Sequence, residues 1–165
     1  IIRIKKEKTQ RISEMEAIKA SQLYVSAPTE RNLGSWKELG ANTTNKNGYV
    51  VEKSDIIFIA VKPHILDSAV EDIKNTLSNN FNSKLFISIL AGTTLETLEE
   101  KLNSVVKNAR VIRVMPNTPM MVHSGASVYC GGETATLEDL AIVKKILNYV
   151  GISEEVPESL INAVG

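Results

Sequence analysis

The stretch Asp55-Ile-Ile-Phe-Ile-Ala-Val-Lys-Pro63 constrains the chain more than any other. Residues 56–61 are all apolar, so a strand built here must be covered on both faces. Strands of that kind lie inside parallel sheets, with helices packed on either side. Lys62 and Pro63 then stop it, because proline has no N–H to give to a ladder. Leu85-Phe-Ile-Ser-Ile-Leu90 predicts a second strand, ended by Ala91 and Gly92. Arg110-Val-Ile-Arg-Val-Met115 predicts a third, ended by Pro116-Asn-Thr-Pro119. Between the first two, Ile65, Leu66, Ala69, Val70, Ile73 and Leu77 recur at helical spacing. Between the second and third, Leu95, Leu98 and Leu102 do the same, behind a capping-box pattern of Thr93 and Glu96.

The flanks continue the alternation. Residues 23–26 read as a short strand, and Thr29 caps a helix running to Leu39. Gly40 stands where a helix end wants a left-handed residue. Residues 41–43 predict another short strand, followed by a polar connection over 45–53. Further on, Val128-Tyr-Cys130 reads as a strand. Thr136 caps a helix with Leu137, Leu140, Val143, Ile146, Leu147 and Val150 on its apolar side, closed by Gly151. Residues 152–156 predict a last strand, and Pro157 and Glu158 open one more helix. Strands alternating with helices imply right-handed crossovers and a mostly parallel sheet.

Composition narrows the function classes. The 165 residues suit one domain. Lys plus Arg is 19 and Asp plus Glu is 19, which gives no electrostatic reason to expect nucleic acid or an anionic membrane. No apolar run approaches the roughly 20 residues of a membrane-spanning helix. Cys130 is the single cysteine, so no internal disulfide forms; this fits a reducing compartment, the cytoplasm, with the mitochondrion as the alternative. His64 and His123 are too few to predict a metal site. Cys130 has no basic neighbour in sequence and is read as a packing residue. No Ser-His-Asp order or carboxylate pair stands out, so no catalytic residue is assigned.

In an open α/β sheet, ligands sit outside the carboxyl ends of the strands. Four segments are expected there: 26–28, 60–63, 90–93 and 116–119. Each alone is an ordinary turn, for which Gly and Pro are common. Four along one edge predict a cofactor cleft, with Lys62, Ala91 and Asn117 near one another. Lys62 is placed to approach a ribose or phosphate, or else is a solvated turn lysine. Asn117 and Thr118 are polar groups held between two prolines, or else bond their own backbone.

At this point the residues resemble a known family. The stretch from Asp55 to His64 is similar to a characteristic strand and turn of pyrroline-5-carboxylate reductases. Ser88-Ile-Leu-Ala-Gly92, Arg110-Val-Ile-Arg-Val-Met-Pro-Asn-Thr-Pro119, Gly125-Ala-Ser-Val-Tyr129 and Glu158-Ser-Leu-Ile-Asn-Ala-Val164 follow in the family's order. The resemblance covers roughly residues 20 to 165. It implies a Rossmann-type α/β domain and the reduction of 1-pyrroline-5-carboxylate to L-proline by NADPH or NADH, in proline biosynthesis. The complete protein would be a homodimer or higher homo-oligomer. Cofactor contacts are implied at Ser26, Ala27, Asn47, Ala60, Val61, Lys62, Pro63, Ala91 and Asn117, and a substrate contact at Glu158. No acidic residue directly ends the strand at Ser26, which tilts the cofactor towards NADP. Arg31 is then a candidate partner for a 2′-phosphate, or an exposed helix arginine.

Two departures accompany the resemblance. The family opens with a strand and a glycine-rich turn, whereas the first glycine here is Gly34. Residues 1–19 carry Arg3, Lys5, Lys6, Lys8, Arg11 and Lys19 interleaved with Glu7, Glu14 and Glu16, and are expected to be helical in character. The family also continues into a helical dimerisation domain, and Gly165 precedes it. The expected layout is therefore an atypical charged segment over 1–19 and a dinucleotide-binding domain over 20–165. The sheet would be incomplete at the N-terminus and the helical domain absent. Two alternatives stay open: another hydride-transferring enzyme of the β-hydroxyacid dehydrogenase type, and a catalytically inactive partner of intact subunits.

Overall fold

Eight strands form a single sheet in the computed structural model, which describes residues 2–4, 19–117 and 125–164. They are β1 (Ile2–Ile4), β2 (Tyr24–Ser26), β3 (Asn42–Thr44), β4 (Ile56–Ile59), β5 (Leu85–Ser88), β6 (Arg110–Pro116), β7 (Gly125–Gly131) and β8 (Gly151–Glu155). Their order across the sheet is β3-β2-β1-β4-β5-β6-β7-β8. Parallel pairing joins β2 to β3, β4 to β5, β5 to β6 and β7 to β8. β7 runs antiparallel to β6, and β1 runs antiparallel to both β2 and β4. The helices are α1 (Gly34–Glu38), α2 (Asn47–Lys53), α3 (Leu66–Thr76), α4 (Leu95–Asn103), α5 (Leu137–Leu147) and α6 (Glu158–Val164).

Both faces of the sheet are covered, as the unbroken apolar run at 56–61 requires. Ile57, Ile59, Phe86 and Val111 pack with Val50 and Val51 of α2, Leu66 and Ile73 of α3, Leu98 and Leu102 of α4, and Ile161 of α6. The alternate residues Ile56, Leu85, Ile87, Ile112 and Val114 pack on the other face with Val143 and Leu147 of α5. The period of two along each strand sends successive side chains to opposite cores. Each fully buried aliphatic side chain contributes about 1.5–3 kcal/mol. A smaller cluster of Val25, Leu33 and Ala41 secures β2 and α1.

Several elements depart from the sequence expectations. Residues 45–53 are not a plain connection, because α2 occupies 47–53 and buries Gly48, Val50 and Val51. The helix predicted over 29–39 is a 3-10 turn at Glu30–Asn32 followed by the short α1. The cap of α4 is Thr94 rather than Thr93, its side chain accepting from Thr97 N. β7 begins at Gly125, earlier than the apolar triplet at 128–130, because β8 pairs with it from Gly125 and β6 from Ser127. α5 has the expected Thr136 cap, completed as a capping box by Asp139, yet it ends at Leu147, and Leu137 is 86 % exposed. Ile2–Ile4 is a strand, not part of a helix.

Candidate functional site: the carboxyl edge of the sheet

β1 is antiparallel to both its neighbours, so β2 and β4 run in the same direction. β2 to β6, with β1 excepted, therefore end on one edge. The register is tight: Ile59 of β4 lies beside Ser88 of β5, which lies beside Arg113 of β6. Ile89 N donates to Ile59 O at 3.2 Å, carrying the pairing into the turns. The turns at 60–63 and 89–92 thus leave the sheet side by side, while β6 runs on past Arg113 to Pro116; Lys62, Ala91 and Asn117 share that edge, with Asn117 farther out along it. Ala60, Lys62, Pro63 and Ala91 are exposed, and Val61 and Asn117 are half-buried. Gly92 has φ +70°, a backbone that only glycine takes up without strain. Close approach of a ligand to exposed, small-residue backbone is what such turns allow.

At the β2 end, Ser26 is buried and its hydroxyl donates to Asn47 Oδ1 at 2.6 Å. Ala27, half-buried, donates its N–H to Thr44 O at 3.3 Å. Asn47 is held from three sides, since its Nδ2 donates to Ala69 O at 3.2 Å and its N–H donates to Asp72 Oδ2 at 2.7 Å. Gly48 N donates to Thr76 Oγ1 at 2.8 Å. Asp72 and Thr76 are site-shaping residues that no sequence signal marks, because on α3 they look like ordinary polar positions of an amphipathic helix. Arg31 is exposed on the 3-10 turn after β2.

Asn117 closes the β6–β7 hairpin. Its N–H donates to Ala126 O at 3.2 Å, and its Oδ1 accepts from Ala126 N at 2.8 Å. Thr118, Pro119 and His123 lie outside the described residues. His64 sits exposed in the 3-10 turn Pro63–Ile65.

Glu158 lies in a polar junction below the edge. Its Oε1 accepts from Leu95 N at 2.7 Å, at the start of α4, and from Arg113 Nη1 at 3.0 Å. Arg113 is 1 % exposed, and its Nη2 donates to Asn162 Oδ1. Three elements, β6, α4 and α6, are joined through this one carboxylate. The sequence hid it, because Arg113 falls inside a run that reads as plain strand.

Cys130 is 5 % exposed, and burial pushes its thiol up from 9.0 to about 11. Such a thiol is inert at neutral pH, as a packing role requires. Above pH 9.0 an unfolded thiol ionises while the folded one stays protonated, so stability present below that pH is lost towards about 11. At pH 9.0 the folded chain should hold roughly fifty-fold less thiolate at Cys130 than the urea-unfolded chain. Iodoacetamide labelling should slow accordingly, and equal rates in the two states would contradict the burial. Among the described residues no group of three His, Cys, Asp or Glu side chains converges to hold a metal ion, and no helix is long and apolar enough to cross a membrane.

Exposed turns along the carboxyl edge of a mostly parallel sheet, covered by helices on both faces, define a dinucleotide-binding domain of the Rossmann type. Comparison with known proteins refines that class. The family described as NADP oxidoreductase, coenzyme F420-dependent, matches residues 9–92, just over half of the chain. The chain is 40 % identical over 149 residues to a pyrroline-5-carboxylate reductase of Methanosarcina acetivorans, covering 90 % of this chain and 52 % of that protein. A solved pyrroline-5-carboxylate reductase from Coxiella burnetii superposes with a TM-score of 0.72 at 30 % identity, over 84 % of this chain and 50 % of that one. The NADP-bound pyrroline carboxylate reductase of Plasmodium falciparum gives 0.70 at 34 % identity, over 87 % and 50 %. The chain belongs to this oxidoreductase family and, within it, to the pyrroline-5-carboxylate reductases. It spans about half the length of the curated relatives it matches.

Proposed function

We propose that this chain supplies the nucleotide-binding part of an enzyme that reduces 1-pyrroline-5-carboxylate to L-proline. The observation that carries the reading is the carboxyl-edge cleft on a sheet that superposes on reductases of this substrate at 30–34 % identity. The cofactor would supply a hydride to the ring imine carbon, turning the C=N bond into C–N. The nitrogen takes its proton from water or enters already protonated as an iminium, and no side chain here is assigned that role. Ser26, Ala27 and Asn47 would hold the adenosine end. Ala60, Val61, Lys62, Pro63, Ala91 and Asn117 would line the rest of the dinucleotide. Glu158 would stand near the substrate, through the junction it makes with Arg113 and α4.

NADPH is favoured over NADH. The Plasmodium falciparum relative carries NADP, no carboxylate directly ends β2, and Arg31 is exposed on the following turn. A homodimer or higher homo-oligomer, completed by a helical domain, is the proposed assembly of the whole enzyme, and the cytoplasm its compartment. A chimera tests the reading: residues 19–165 replace the matching part of the Methanosarcina acetivorans relative, whose own first strand and C-terminal half are kept. Proline formation from 1-pyrroline-5-carboxylate and NADPH is the expected result. A folded chimera no faster than a no-enzyme control overturns the assignment.

A second reading concerns this 165-residue polypeptide by itself, as a non-catalytic partner of intact subunits. It is favoured by the direction of β1, whose Ile4 end lies beside Ile56, at the edge opposite the cleft.

A further inference from the structure

Asn47 and Gly48 form an Asn-Gly pair in the first turn of α2. In a flexible chain this dipeptide loses ammonia readily, because glycine puts no side chain in the way when its nitrogen attacks the preceding side-chain carbonyl. The fold holds both residues in place. A Cβ at position 48 would lie 2.3 Å from Leu77 N and 2.4 Å from the Thr76 carbonyl carbon, so α2 and α3 cross too closely for anything larger than glycine. Asn47, in turn, bridges Ser26 of β2 to Ala69 of α3.

We propose that Asn47 is a gated deamidation site, silent while α3 grips the first turn of α2 and reactive when that turn opens. Each atom of the reaction is tied down in the closed state. The attacking nitrogen, Gly48 N, has its hydrogen directed at Thr76 Oγ1 at 2.8 Å. The leaving amide, Asn47 Nδ2, donates to Ala69 O, and the carbonyl oxygen accepts from Ser26. Asp72 anchors Asn47 N at 2.7 Å. Gly48 is buried and its backbone is helical, which directs its N–H away from the side chain it must attack.

Opening frees the nitrogen. Gly48 N loses its proton to solvent base and bonds to Asn47 Cγ; the Cγ–Nδ2 bond breaks, and nitrogen leaves as ammonia. Water then opens the succinimide ring at either carbonyl, giving aspartate or isoaspartate. The new carboxylate lies close to that of Asp72, and like charges at that spacing weaken the closed state. Its effect on a bound cofactor rests on the function proposed above; the modification itself does not.

The test is peptide mapping by mass spectrometry after warm incubation in mildly alkaline buffer. Residue 47 in the folded chain should deamidate at least about tenfold more slowly than in the urea-unfolded chain. Thr76→Val removes the acceptor that holds Gly48 N, and should speed the folded-state reaction about fivefold to tenfold. Asp72→Asn, which weakens the second anchor, should speed it by a smaller factor. Asn47→Gln should give no product there. Equal rates in the folded and unfolded wild-type chains overturn the gate, and so does a folded Thr76→Val or Asp72→Asn variant that reacts at the wild-type rate.

Discussion

Calorimetric titration of the 165-residue chain with NADPH is expected to show binding weaker than micromolar by about two orders of magnitude or more. A Rossmann-type domain holds the cofactor pyrophosphate at a helix N-terminus, where backbone N–H groups and the helix dipole meet the negative charge. That helix follows a strand whose carboxyl end reaches the cleft, through glycines that let the backbone come close. Here the strand between β2 and β4 runs the other way, with Ile2 beside Phe58 and Ile4 beside Ile56. The backbone therefore leaves Ile4 at the edge opposite the cleft. No glycine precedes Gly34. α2 does not substitute, because Asp72 and Thr76 already take the N–H groups of its first two residues. Losing a few charge-assisted hydrogen bonds, each worth about 1.5–3 kcal/mol, accounts for the predicted weakening. A micromolar or tighter constant would mean that another part of the chain supplies a phosphate site.

The largest stability effect is expected at Glu158. Glu158→Ala leaves Arg113 buried without its ion-pair partner, and Leu95 N loses its acceptor. Removing one member of a buried pair costs about 3–5 kcal/mol, and the lower end applies because Glu158 is about a third exposed, so water partly replaces it. The melting temperature should fall by about 6–12 °C. Arg113→Met should do less harm, since an apolar side chain of similar volume suits the site and Glu158 keeps its bond to Leu95 N. The double variant should then be more stable than Glu158→Ala alone. Thermal denaturation followed by circular dichroism checks this, and purely additive losses would contradict the pairing.

Much of the fold was legible where local chemistry and long-range packing agree. β4, β5 and β6 announce themselves by apolar runs closed by Pro or Gly, and α3, α4 and α5 by helical spacing of Leu, Ile and Val. The carboxyl edge follows from their order alone. What was hidden depends on contacts distant in sequence. α2 is only seven residues long, too short to show a helical period, with Val50 and Val51 as its buried aliphatic anchors, and its place is set by Gly48 fitting against Thr76 and Leu77. The β7 start, Gly125-Ala-Ser, has no β-branched residue to mark it and is strand because β8 pairs with all three residues and β6 with the last. Thr93 with Glu96 fits the capping-box pattern, yet Thr94 is the cap, and Glu158, distant in sequence, takes the N–H of Leu95 that follows it. Leu137 matches the helical period, yet it stands at the open end of α5 where nothing covers it. At the edge, the strand end suggested Ser26 and the family resemblance implied Asn47, but neither marked the α3 side chains that orient Asn47. Arg113 was invisible because an arginine inside a strand is usually read as solvent-facing.

The most direct measurement is a two-dimensional NMR titration of the chain with millimolar NADPH, a concentration that suits weak binding. Amides of Ser26, Ala27, Asn47, Lys62 and Ala91 should shift together along one isotherm, while Ser83 and Asn108 at the opposite edge, and Ile152 on β8, stay still. Shifts centred on the Ser83 edge, or none at the carboxyl edge while other amides saturate, would contradict the assignment of that edge as the cofactor cleft.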